Sequence, residues 1–295
     1  MNLPSVARRG RTRAAASAAQ VFMMAGLAAS VAACQSTPAA HSGFLSSYAG
    51  LSDQEGARKT SAKRRDDALS GAITRVYIEP SVLRLRADSP IKPDQQAMVQ
   101  SEVDRQICFE LSKHFDLAIA PEPGAGRIRT AIVGIDPTSR AGSAATAAAD
   151  FFNPIPMPFV SIRAPMTTGG LSAESELLTP DGQQAAALTW SYNAEVISRS
   201  DASLSPVGDA LQMAEPFGDA VAKTFAVKAG GDKKAQKKKI ADPDPCARYG
   251  PRRNVTRFVG KMAMGAATGL YSPTIAGAGR PAEVAPDETH EAPKR

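Results

Sequence analysis

Hydrophobic positions along the chain follow two spacings. Val99, Val103, Ile107, Leu111 and Phe115 recur every fourth residue, which predicts a helix from Asp94 to about Phe115 with one buried side. Pro90 and Pro93 mark its start, and Asp94 in the first turn suits the positive end of the helix dipole. Ala210, Ala214, Phe217, Val221 and Phe225 predict a second helix, which Pro216 is expected to kink or split. Elsewhere the spacing is two. Ile73-Thr74-Arg75-Val76-Tyr77-Ile78 is β-branched and aromatic, so it reads as a strand stopped by Pro80, with Val82 to Arg86 extending it past a bend. Leu117 to Ala120 predicts a short strand, and Arg127 to Ile135 a longer one ended by Asp136-Pro137. Leu171 to Leu178 and Gln183 to Val196 flank Thr179-Pro180-Asp181-Gly182, a turn in which Pro presets φ and Gly supplies a positive one. On the second of these strands Leu188, Trp190, Tyr192, Ala194 and Val196 share a face.

Residues 71–229 therefore read as strand, helix, two strands, loop, hairpin and helix. That order predicts an α+β domain: a mainly antiparallel sheet with two or three helices packed on one face. One stretch resists the pattern. Ser139 to Ala149 is rich in small residues and fits either helix or loop. Beyond it, Pro154, Pro156, Pro158 and Pro165 forbid helix and central strand. Phe151, Phe152, Met157 and Phe159 lie among those prolines, as a loop packed on the core or a candidate partner contact.

The N-terminus has a different design. Arg8, Arg9, Arg11 and Arg13 precede an apolar run from Val21 to Val31, then Ala32 and Ala33. This is the layout of a secretory signal peptide over residues 1–33. A membrane-spanning reading of Ala14 to Ala33 is disfavoured by Ser17, Gln20 and Ser30. Arg8-Arg9 lacks the apolar positions that twin-arginine export expects after it. Val31-Ala32-Ala33-Cys34 resembles the bacterial lipobox. The resemblance implies cleavage between Ala33 and Cys34, a diacylglycerol thioether on Cys34 and an acylated new amine. Gln35 rather than Asp after that cysteine points to the outer membrane, at its periplasmic face. Each buried methylene contributes about 0.8 kcal/mol, so two or three acyl chains make a permanent anchor.

Residues 34–70 read as a lipidated, disordered tether with one exception. Phe44, Leu45, Tyr48 and Leu51 fall on one helical face, with Ser42 as an N-cap, which predicts a short amphipathic turn docking on the domain; a lipid-facing role is the alternative. Lys59 to Asp67 is charged and expected to be solvated.

Charge sharpens this division. Residues 231–295 hold 13 Lys/Arg against 7 Asp/Glu, whereas residues 14–230 hold 18 against 22. The net charge of +6 thus belongs to a leader and a tail, and the domain itself is mildly acidic. Whole-chain charge therefore says little about nucleic acid, since a binding domain carries its basic stripe on its own surface, and no nucleic-acid partner is expected. The tail, 230–295, is basic, Pro-rich and expected to be largely disordered, with one semi-apolar island from Phe258 to Tyr271. Lys233, Lys234, Lys237, Lys238 and Lys239 form a candidate contact for an anionic surface or a soluble cluster held off the core.

Candidate chemistry is sparse. The three histidines, His41, His114 and His290, show no metal spacing, so no metal or cofactor is expected. His114 near a helix end fits the dipole better than catalysis. No G-x-S-x-G, P-loop or dinucleotide fingerprint occurs. Glu174 and Glu176 lie two apart on one strand face, which is a solvated face before it is a carboxylate pair for acid–base work. Cys108 lies beside a buried stripe, and in an oxidising compartment it is a candidate disulfide partner of Cys246.

Three segments carry a family resemblance. Ser42-Gly43-Phe44-Leu45-Ser46-Ser47-Tyr48 stands shortly after Cys34. Glu122-Pro123-Gly124-Ala125-Gly126 precedes a strand opening Arg127-Ile128-Arg129. Gly170, through Glu174-Ser175-Glu176, leads into Thr179-Pro180-Asp181-Gly182. Together they resemble the uncharacterised proteobacterial lipoproteins of the DUF3313 family over about residues 40–228; Pro-Asp-Gly departs mildly from the pattern. The resemblance implies a periplasmic lipoprotein and assigns no activity. The expectation is a non-catalytic structural or binding role in the cell envelope, with membrane, envelope proteins or cell-wall polymer as partners. An accessory factor for a cell-wall or secretion complex and an unrecognised hydrolase stand as alternatives.

Overall fold

The hairpin of residues 170–193 is the centre of the sheet. In the computed structural model, which describes residues 41–55, 59–151, 161–162, 167–193, 197–198, 202–227, 240–250, 270–271 and 273, its two strands are β8 (Gly170–Leu178) and β9 (Gln184–Asn193). Gly182 takes φ +87° in the turn between them, a conformation that side chains disfavour.

Around the hairpin the order is β1-β2-β9-β8-β6-β3-β5, with β4 also on β6. Here β1 is Ser52–Glu55, β2 Lys59–Arg65, β3 Arg75–Ile78, β4 Val82–Leu83, β5 Asp116–Ala118 and β6 Gly126–Asp136. From β1 through β2, β9 and β8 to β6 each neighbour is antiparallel. On the other side of β6, strands β3 and β4 pair with it in parallel, and β5 is parallel to β3. The sheet is therefore mixed and mostly antiparallel. Its helices are α1 (Asp67–Ala72), α2 (Pro93–Leu111), α3 (Arg140–Phe151) and α4 (Gly208–Phe225). The fold class is α+β, as the residue spacing predicts.

Register assigns every central side chain to a face. Ile128, Ile132, Ala173, Leu177, Ala186, Leu188 and Trp190 share one, because Ile128 pairs with Leu177, Leu177 with Ala186 and Ala173 with Trp190. Against this face pack the stripes of α2 and α4, including Val103, Ile107, Leu111, Ala214, Phe217, Val221 and Phe225, all buried. The helices approach closely at Gly218, where an added Cβ would lie 2.9 Å from the Gln106 carbonyl carbon and oxygen. Pro216 sits inside α4, yet the helix runs unbroken from Gly208 to Phe225, so the expected split does not occur.

Three boundaries differ from the sequence reading. The sheet begins at Ser52, not near Ala72: β1, β2 and the start of α1 lie in the stretch expected to be tether. The charged run Lys59–Arg65 is a strand because its backbone pairs with β9 along its whole length; Ala62 is its buried side chain. Arg65 also closes α4, its Nη1 donating to the carbonyls of Thr224 at 3.1 Å and Ala226 at 2.9 Å. Parts of the C-terminal tail are likewise folded. Cys246, Tyr249 and Tyr271 are buried in the main core, and β12 (Leu270–Tyr271) runs parallel to β11 (Ala202–Ser203). A small separate pair joins β7 (Ser161–Ile162) to β10 (Ile197–Ser198).

Candidate functional site

The opposite face of the sheet presents Arg129 and Ala131 from β6, Glu174 and Glu176 from β8, and Ala187 and Thr189 from β9. Solvent does not cover it. Residues 42–51 lie across it as a strap, in turns and bends rather than the helical turn the spacing suggested. Phe44 and Leu45 are buried there with Ala131 and Ala187, and Tyr48, Leu51 and Val133 pack at the margin. Burying a Phe or Leu side chain contributes about 1.5–3 kcal/mol, which offsets part of the entropy of fixing the segment.

Polar contacts hold the strap in register. Glu174 accepts from the Ser42 N–H at 2.9 Å, the Ser42 hydroxyl at 2.7 Å and the Tyr48 hydroxyl at 2.7 Å. Glu176 accepts from the Ser46 N–H at 2.8 Å and the Ser46 hydroxyl at 3.1 Å. Arg129 and Gln184 complete its shell at 2.9 and 2.8 Å. The two carboxylates are 1 % and 0 % exposed. The expectation of a solvated acidic face is thus reversed: a buried charge survives only when its lone pairs are engaged, and here seven donors engage two carboxylates.

Within the strap, Tyr48 is the hub. Its hydroxyl accepts from the Phe44 and Leu45 N–H groups at 3.0 and 3.3 Å while donating to Glu174. Burial, and then the hydrogen bond to Glu174, raise its pKa above the ordinary tyrosine value. His41 stacks on the Tyr48 ring at 4.0 Å between centroids, and the Arg129 guanidinium lies 4.9 Å above the Phe44 ring. Arg129 therefore touches both ends of the arrangement, pairing with Glu176 beneath and Phe44 above. The set holds the chain's own N-terminal segment against the sheet.

A second cluster fastens the C-terminal segment. Cys108 on α2 and Cys246 form a disulfide across 138 residues. Asp244 accepts from the Cys246 N–H at 2.9 Å, and a single 3-10 turn, Ala247–Tyr249, follows. Beside it lies Asp104, one turn before Cys108 on α2. Burial pushes the Asp104 carboxyl up to about 6, against the Ser81 hydrogen bonds and the Arg248 charge that pull it down. Burial and the Asp104 charge push Tyr249 up to about 12. The cysteines are legible in the sequence, whereas nothing in it sets Asp104 apart from the other acidic residues of α2.

Asp209 is another buried carboxylate. It sits in the first turn of α4 and accepts from the Gly169 N–H at 2.6 Å and the Thr138 hydroxyl at 3.0 Å, pinning two loops to the helix start.

Cys34 and Ala33, the lysines at 233, 234, 237, 238 and 239, and Phe152, Met157 and Phe159 lie outside the described residues. Phe151 is the last residue of α3. Among the described residues no group of His, Cys, Asp and Glu has the arrangement of a metal site, and no helix is long and apolar enough to cross a membrane.

Comparison with known proteins adds a family and a distant likeness. Residues 40–221 match the family described as Protein of unknown function (DUF3313). No curated protein matches the chain. Two crystal forms of the PelC dodecamer from Paraburkholderia phytofirmans, one of a single-substitution variant, are similar at TM-scores of 0.35 and 0.34. Each is 9% identical over 58% of this chain and 99% of the PelC chain.

Proposed function

The chain belongs to the DUF3313 family of proteins of unknown function, and from that premise we propose that it is a non-catalytic lipoprotein of the cell envelope, anchored through acyl chains on Cys34. The single observation that carries the reading is the use made of Glu174 and Glu176. They are a pair of carboxylates two apart on one strand face, and the strap, with Arg129 and Gln184, engages them. A general acid or base must reach the proton it transfers. Here the reachable lone pairs hold the segment that leads back to the lipobox. The signal-peptide layout, Val31-Ala32-Ala33-Cys34 and Gln35 support export, acylation and the periplasmic face of the outer membrane.

On this reading the folded domain supplies a binding surface for envelope proteins or cell-wall polymer. Cell fractionation tests it. The parent protein is expected in the outer-membrane fraction, and Cys34→Ser in the soluble periplasm or retained uncleaved. Equal membrane recovery of the two, with the variant processed at the same position, defeats acyl anchoring.

A further inference from the structure

We propose that Ser42–Tyr48 is a clamp that ties the lipid anchor to the carboxylate face of the sheet, holding the folded domain on a leash of eight residues from the bilayer. This rests on the lipid-anchor reading above and adds to it where along the chain the leash ends.

The length of a tether is set by the first residue that the fold fixes. Charge and composition place that residue near 71, which leaves 37 residues after Cys34. Extended, they span about 130 Å at ~3.5 Å per residue. The structure fixes the chain much earlier. The Ser42 N–H and hydroxyl are bound to Glu174, and the Ser46 N–H and hydroxyl to Glu176. Phe44 and Leu45 between them are 8 % and 5 % exposed. Ser42 is eight residues after Cys34, so the maximum reach falls to about 28 Å.

The clamp has the composition such a role needs. Two charged acceptors give strong bonds to a segment that carries no charge of its own between Ser42 and Leu51. Serine hydroxyls and main-chain N–H groups take up those acceptors without a long, entropically costly side chain. The strap continues directly into β1, whose Ser52 is paired with Lys63 of β2. Its two ends are therefore fixed independently, the first by carboxylates and the second by the sheet. Force on the anchor is borne by the Ser42 and Ser46 contacts before it reaches the sheet ladder.

Energy transfer from Trp190, the single tryptophan of the chain, measures the leash. The full protein, extracted from membranes with its modification, is reconstituted in phosphatidylethanolamine–phosphatidylglycerol vesicles carrying a dansyl-headgroup lipid. One variant carries a 30-residue Gly/Ser insert between His41 and Ser42. The other carries the same insert between Leu51 and Ser52. The first adds a flexible linker of about 30 Å root-mean-square length between anchor and clamp, and at least a two-fold loss of transfer is expected. The second adds a loop between two fixed points, and transfer is expected to stay at the parent level. Equal loss in both variants, or in neither, overturns the clamp provided the proteins float with the vesicles. Failure of the parent to float overturns the anchor and the clamp together. Hydrogen exchange of the unaltered chain gives a check free of inserts: protection of the Phe44 and Ser46 amides is expected, and exchange at random-coil rates contradicts the clamp.

Discussion

Glu174 and Glu176 show how a residue's meaning depends on what covers it. Along β8 they alternate with Ala173, Ser175 and Leu177, and the inward residues are evident from that alternation alone. The outward pair looks solvated because its partners are Ser42, Ser46 and Tyr48, some 130 positions away. The signal that links them is that Ser42–Tyr48 and Glu174-Ser175-Glu176 are two of the three segments carrying the family resemblance. Tyr48→Phe removes one donor to Glu174 and the acceptor of two strap amides. It is expected to lower stability in urea by about 1–2 kcal/mol, and to raise exchange at Phe44 and Leu45. Asp104 gives a pH signature. Its folded value of about 6 stands above an unfolded value of about 3.9. Below pH ~4 both states are protonated and the group contributes nothing. Between about pH 4 and 6 the unfolded chain ionises first, so stability falls as pH rises, by about 3 kcal/mol once both are ionised. Asp104→Asn keeps an acceptor for the Ser81 N–H and abolishes that fall; urea unfolding at pH 4, 5, 6 and 7 checks it.

Among the elements, α2, α4 and the β8–β9 hairpin are legible because each buries one periodic face. The two helices meet where Gly218 faces the Gln106 backbone. Gly218→Ala forces the pair apart and is expected to cost about 1–3 kcal/mol, measured as a shift in the urea midpoint at unchanged slope. β2 is illegible for the converse reason. Lys59-Thr60-Ser61-Ala62-Lys63-Arg64-Arg65 is polar on both faces, and the β9 backbone rather than side-chain burial makes it a strand. The tail is illegible for want of a period: Tyr249 stands among polar residues and Tyr271 ends the semi-apolar island, and they are brought inward by the disulfide and by β12. Cross-linking across 138 residues restricts the unfolded chain. Replacing Cys108 and Cys246 by Ser is expected to cost about 3–5 kcal/mol by that entropy, and thermal unfolding of the double variant reads it.

Taken as a whole, the molecule is a two-faced sheet whose faces have different occupants. Helices α2 and α4 fill one with apolar side chains, and the chain's own N-terminal strap covers the other with Phe44 and Leu45 and with the hydroxyls and amides that bind Glu174 and Glu176. The second face is the one joined by eight residues to Cys34. On the reading proposed here the domain is a short-leashed envelope module, and everything about its location follows from the chemistry of one thiol. Intact-mass measurement of the protein extracted from membranes addresses that thiol directly. The expected product is a chain beginning at Cys34, heavier than its sequence by a diacylglycerol group and an N-terminal acyl chain. A chain retaining residues 1–33, or one beginning at Cys34 with an unmodified thiol, would contradict it.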